Sequence, residues 1–200
     1  MNLKYVRALP ACLLLALVLL AGCTGKADEA PPPAAEPAGQ EDQGDAAALG
    51  KLASFTAGAI DGGTFTQDDI AAKDATVINF WGLSCPPCIA ELPDLAAYEK
   101  TLPENVPFIT VCLDAGIDME YAQELLAEAG FEGVTLVSGD GDLAALCGNL
   151  MYTPTTLFVD SQGNLVGDAL IGVQKDLAGT YTAAVNRVLS ASGKDEISLG

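Results

Sequence analysis

The stretch Ala75–Trp81, ATVINFW, reads as a buried strand, and four residues later the chain reaches Cys85-Pro86-Pro87-Cys88. Ile89, Leu92, Leu95, Ala96 and Tyr98 follow at helical spacing. A strand that delivers two cysteines to the first turn of a helix leaves few folds open. Proline is tolerated in that turn because its missing N–H has no intrahelical partner to lose, so Pro86 and Pro87 can open the helix. Pro93 is expected to kink it. The next buried strand, 107–113, would then lie parallel to the first across a right-handed crossover.

Three chemistries compete for the pair. Structural zinc takes four ligands, from two Cys-x-x-Cys knuckles or from one knuckle and two histidines. This chain has one knuckle and no histidine. A structural staple that encloses so small a loop removes little chain entropy. The third reading is a redox dithiol. Unpaired N–H groups and the positive end of the helix dipole lower the pKa of a thiol at Cys85, and thiolate is the attacking species. Cys85 then stands at the mouth of the site, with Cys88 one turn further in and facing the protein. The lack of histidine also excludes His-based zinc, copper and haem ligation, Ser-His-Asp triads and Cys-His proteolysis.

Around this unit the sequence predicts further elements. Residues 52–66 form a hairpin about Asp61-Gly62-Gly63, and Thr66 caps a helical turn. DMEYAQELLAEAG is an amphipathic helix that stops at Gly130, GVTLVSG is a strand, and DGDLAALCGNLM is a short helix. TPTTLFVD and NLVGDALIG form a second hairpin, and VQKDLAGTYTAAVNRVL closes the chain as a helix. This order predicts an α/β layer structure.

The N-terminus has the grammar of an export signal: Lys4 and Arg7, an apolar run from Ala11 to Ala21, then small residues. The run is short for a spanning helix, which needs about 20 apolar residues. Leu20-Ala21-Gly22-Cys23 resembles a bacterial lipobox, which implies a signal peptide at 1–22 and lipid on Cys23. Residues 23–50, rich in Ala, Pro, Gly and acids, are expected to be a disordered tether, with the folded domain at 51–200. The chain carries 27 acids and 9 bases, net −18. Such a surface repels nucleic acid and anionic headgroups, so membrane attachment would rest on the lipid. The expected location is extracytoplasmic, anchored to the cell membrane.

The leading hairpin, INFW, CPPC, AELP and TPTTLFVDSQGNLV occur in the order seen in extracytoplasmic thioredoxin-like proteins of the TlpA/ResA type, and residues 52–190 resemble that family. The resemblance implies a thioredoxin-like fold: a central mixed β-sheet flanked by helices, with an additional N-terminal β-hairpin. It implies a cis peptide before Pro154, facing the cysteines, where the backbone of Thr153 could pair with an extended substrate segment. Trp81, Pro86, Pro87, Thr153 and Pro154 are the expected substrate-binding residues. Asn79 stands where cytosolic thioredoxins keep a buried acid. Glu91, on the helix face of Cys88, resembles a glutamate thought to tune the thiols of ResA-like proteins. Ser84 departs from the family's usual tryptophan.

The resemblance implies a thiol-disulfide oxidoreductase, acting as a reductase of exported proteins such as apocytochrome c and re-reduced by a membrane thiol donor. Cys85 would be the nucleophile, Cys88 the resolving thiol and Glu91 the tuning acid, with no cofactor and no metal. An oxidase or isomerase would use the same residues, because direction depends on reduction potential. A copper-binding assembly protein would usually add a histidine and a wider cysteine spacing, and a peroxidase a different cysteine context. Once Cys12 leaves and Cys23 is lipidated, Cys112 and Cys147 remain. In an oxidising compartment an even remainder suggests a second disulfide, against the alternative of two separate buried thiols.

Overall fold

The computed structural model describes residues 43–198. The expected signal peptide, Cys23 and the tether up to residue 42 lie outside the described residues. The core of the sheet is β4 (Ala75–Trp81), every residue of which is buried. It pairs in parallel with β5 (Phe108–Cys112) and antiparallel with β7 (Thr155–Asp160). A strand covered on both faces reads as a continuous apolar run, which is why ATVINFW lacks polar alternation. Beyond β5 lies β6 (Thr135–Gly139), and beyond β7 lies β8 (Asp168–Ile171). The hairpin of β2 (Thr56–Ala59) and β3 (Thr64–Thr66) joins through β2 to β6. With β1 (Gln43–Asp45) on the outer side of β8, the sheet is mixed, in the order β1-β8-β7-β4-β5-β6-β2-β3.

Helices cover both faces. On one face, α2 (Pro86–Glu99), α3 (Met119–Ala129) and α5 (Leu177–Ala191) bury Leu92, Leu95, Leu125, Tyr181 and Val185 against Val77, Trp81, Phe108 and Phe158. On the other, α1 (Gln67–Ala71) and α4 (Gly141–Asn149) bring Ile70, Leu143 and Leu146 onto Ile78, Phe80, Ile109 and Leu157. Tyr181 meets Tyr98 and Phe158 edge to face at 5.5 and 5.7 Å, which seats α5 on the sheet beside α2. Local signals act as read: Gly62 takes φ +89° in the hairpin turn, and Thr66 caps α1 in a reciprocal box with Asp69. Helix α2 continues through Pro93.

One boundary differs from expectation. Gln43–Asp45 forms β1, antiparallel to β8, and Ala46–Leu49 makes a 3₁₀ turn whose Ala46 is buried. Described secondary structure therefore extends into the segment read as tether. QGD carries no apolar alternation, so composition does not reveal its pairing with β8.

Candidate active site

Strand β4 ends at Trp81, and the turn Gly82-Leu83-Ser84 carries the chain to Cys85, the N-cap of α2. Asp114, just beyond β5, holds this turn. Its Oδ1 accepts the Leu83 N–H at 2.7 Å, and its Oδ2 accepts the Ser84 hydroxyl at 3.4 Å. The approach is close enough that a Cβ on Gly82 would lie 3.1 Å from the carboxylate. The sequence reading missed Asp114, whose partners lie some 30 positions away. Asp114→Ala is expected to destabilise the oxidised protein by about 2 kcal/mol, the scale of a hydrogen bond to a charged group. Chemical denaturation measures this, and an unchanged midpoint would mean that the turn is held by other contacts.

Cys85 and Cys88 are joined in a disulfide. Cys85 is half-buried, and Cys88 is 1% exposed. The Cys88 N–H donates to Cys85 Sγ at 3.3 Å. Because Pro86 and Pro87 have no N–H, this is the first amide that the helix can offer the sulfur. The Thr153–Pro154 peptide is cis, and the Thr153 carbonyl oxygen lies 3.6 Å from Cys85 Sγ. Thr153 is half-buried, and its N–H has no hydrogen-bond acceptor among the described residues. Pro86 and Pro87 are exposed beside Cys85, whereas the Pro154 ring is buried.

Glu91 sits one turn beyond Cys88, 2% exposed, and neither carboxyl oxygen has a hydrogen-bond partner. Burial pushes its pKa up to about 7; the Gln174 backbone amide offsets part of that without making a full hydrogen bond, and Asp94 adds to it. A carboxyl poised there can hold or release a proton near neutrality. On the same face, Asn79 Nδ2 donates to Thr156 Oγ1 at 2.9 Å, and Thr156 Oγ1 shares a 2.7 Å hydrogen bond with the Tyr181 hydroxyl. Asn79 is fully buried and has no ionisable group, so among the described residues Glu91 is the buried carboxyl on this side of the cysteines.

Two expected roles are corrected. Trp81 is 0% exposed, packed with Cys88 in the core, so it supports the site from below and presents nothing to a substrate. Cys112 and Cys147 are free thiols rather than a second disulfide. Alternation along β5 turns Cys112 toward the α2 face with Phe108, while Cys147 on α4 packs against the opposite face. The two residues thus belong to core clusters on opposite faces of the sheet. Burial pushes Cys112 up to about 12 and Cys147 up to about 11, so neither is an activated thiol. Both are expected to stay unmodified in brief alkylation at pH 8 that labels reduced Cys85. Labelling of Cys112 or Cys147 as fast as Cys85 would contradict that burial. Among the described residues no three His, Cys, Asp or Glu side chains group to hold a metal ion.

The profile of the AhpC/TSA family matches residues 49–167. No curated protein matches. Solved structures do. MTB DsbF, in mixed oxidised and reduced forms, is 28% identical with a TM-score of 0.55, covering 66% of this chain and 96% of its own. A secreted Mycobacterium tuberculosis disulfide oxidoreductase homologous to E. coli DsbE is 24% identical with a TM-score of 0.52, covering 66% and 97%. A thiol:disulfide interchange protein of the thioredoxin family from Chlorobium tepidum TLS is 22% identical with a TM-score of 0.56, covering 68% and 95%. The mixed sheet with helices on both faces is the thioredoxin-like fold.

Proposed function

The chain belongs to the AhpC/TSA family and is a thiol-disulfide oxidoreductase of thioredoxin-like fold, and from that premise we propose that it reduces disulfides of exported proteins while tethered outside the cytoplasm by lipid on Cys23. The observation that carries the reading is the Cys85–Cys88 disulfide at a helix N-terminus, with the Thr153 carbonyl before it and buried Glu91 behind it. The TlpA/ResA-type order of motifs supports the finer assignment. The N-terminal pattern ending at Cys23 supports residues 1–22 as signal peptide and a lipid tether that leads into the folded domain.

The reaction begins with both cysteines reduced. Cys85 thiolate attacks one sulfur of the substrate disulfide; a Cys85–substrate bond forms and the other substrate sulfur leaves as thiolate. Cys88 loses its proton to Glu91 and attacks Cys85 Sγ. The second substrate sulfur leaves, and Cys85–Cys88 closes. Two electrons have passed to the substrate, whose thiolates take up two protons. A membrane dithiol then reduces the pair by the reverse steps. An apocytochrome c haem-binding motif is one substrate that fits this chemistry, and no cofactor takes part.

Direction is tested by equilibrating the protein with glutathione buffers and measuring the fraction of Cys85–Cys88 disulfide. A pair that stays oxidised in buffers that reduce glutathione-equilibrated model disulfides supports a reductase. A pair that oxidises glutathione would assign an oxidase or isomerase instead.

A further inference from the structure

Seven of the eight large apolar side chains exposed among the described residues lie at one end of the sheet, where β4 delivers Cys85. Leu113, Ile117, Met119 and Tyr121 follow β5, Met151 and Tyr152 precede the cis-proline, and Val173 follows β8. On the cis-proline side they border a pocket of about 140 Å³ whose walls include Leu49, Leu150, Met151, Tyr152, Ala169 and Ile171, with no charged residue among its lining. Met151 is 80% exposed and Tyr152 60%.

We propose that this pocket is a specificity subsite that takes one uncharged apolar side chain, of leucine to phenylalanine size, from the substrate segment bearing the target disulfide. The inference rests on the exchange reading above. Size is the first argument: an apolar cavity of roughly 150 Å³ accommodates one benzene. Position is the second. Tyr152 and Thr155, both in the lining, flank the Thr153–Pro154 peptide that touches Cys85. The pocket walls belong to the cluster on the α4 face and Cys85 packs with the cluster on the α2 face, so a segment whose sulfur reaches Cys85 meets the pocket by crossing the sheet end at Thr153 and Tyr152, where the Thr153 N–H, without an acceptor among the described residues, offers it a backbone partner. An extended segment sends alternate side chains to one side, so a residue near the reactive cysteine is presented to the opening. Met151 supplies an adaptable wall.

The wall at Leu49 comes from the 3₁₀ turn that β1 anchors to β8. The subsite thus depends on the N-terminal segment folding back onto the sheet edge. On a chain of net charge −18, an uncharged pocket selects by burial rather than by charge.

The test uses the full chain, recycled with dithiothreitol, and synthetic peptides with one internal disulfide. Peptides in each pair differ only by Leu or Phe against Ala at one position, scanned on both sides of the reactive cysteine. At one or two positions the apolar side chain should raise kcat/KM about ten-fold over alanine. That ratio should fall toward one in Met151→Asp and in Leu49→Ser. Met151→Asp changes an exposed side chain, and the series on unaltered protein is decisive even if Leu49→Ser does not fold. Flat ratios at every position, with glutathione disulfide still reduced, would overturn the subsite and leave the exchange reading standing. Flat ratios with a dimer that Met151→Asp dissociates would also overturn it and assign the pocket to self-association. A protein that reduces neither peptides nor glutathione disulfide loses both readings.

Discussion

Cys85→Ser is expected to cut disulfide reduction on the order of a thousand-fold or more, to the uncatalysed background, because an unactivated alcohol does not attack a disulfide. Cys88→Ala is expected to fail differently. It should react once and stop as a Cys85–substrate mixed disulfide, since no second thiol is placed to release it. The asymmetry follows from burial and hydrogen bonding. Cys85 is half-buried and receives the Cys88 N–H, whereas Cys88 is almost wholly covered. Non-reducing electrophoresis with a labelled disulfide peptide reads both outcomes. A trapped adduct on Cys88 in Cys85→Ser protein would reverse the assignment.

Glu91→Gln should have opposite effects on stability and on rate. In the folded protein the carboxyl holds its proton up to about pH 7, against an ordinary value of 4.5. The folded state therefore binds the extra proton between those values. Stability tied to this group is fully present below about pH 4.5 and is lost as pH rises through about 7. Above that, an ionised carboxylate sits buried without a partner. Glutamine is a neutral isostere of the protonated form. The oxidised Glu91→Gln protein should be more stable than its parent by about 3 kcal/mol at pH 8.5, with the difference shrinking toward pH 4. Denaturant unfolding at the two pH values measures it, and a pH-independent difference would contradict the buried-carboxyl reading. On the reaction side, Glu91→Gln should slow attack by Cys88 about ten-fold or more and remove the inflection near pH 7 from the rate of that step. An unchanged profile would return Glu91 to a structural role.

Legibility in the sequence followed the range of the interactions. The β4–Cys85–α2 unit, the Gly62 turn, the Thr66 cap and the Gly130 stop are set within a few residues, and each carries its own signal. The pairing of β1 with β8 does not, because it joins residues far apart in the chain and QGD carries no apolar alternation. Trp81 reads as the end of a buried strand and is also expected to meet substrate, but the pleat at Trp81 turns its ring beneath α2. Cys112 and Cys147 looked pairable by count; only the face that each occupies decides the matter, and that requires knowing which side of the sheet α4 covers. Glu91 could be placed on the Cys88 face by helical spacing. Its burial could not, because the segment bearing Gln174 and helix α5 covers it from distant parts of the chain. The Asp114 clamp on Leu83 and Ser84 escaped for the same reason.

Redox titration with mass mapping tests most directly whether Cys85 and Cys88 are the exchanging pair. The protein is equilibrated across a dithiothreitol series, quenched with acid, alkylated and digested. The expected result is one two-electron transition in which only the peptide joining Cys85 to Cys88 disappears as the buffer becomes reducing, with Cys112 and Cys147 free thiols throughout. A transition that persists in Cys85→Ser protein, or one that maps to a bond between Cys112 and Cys147, would contradict it.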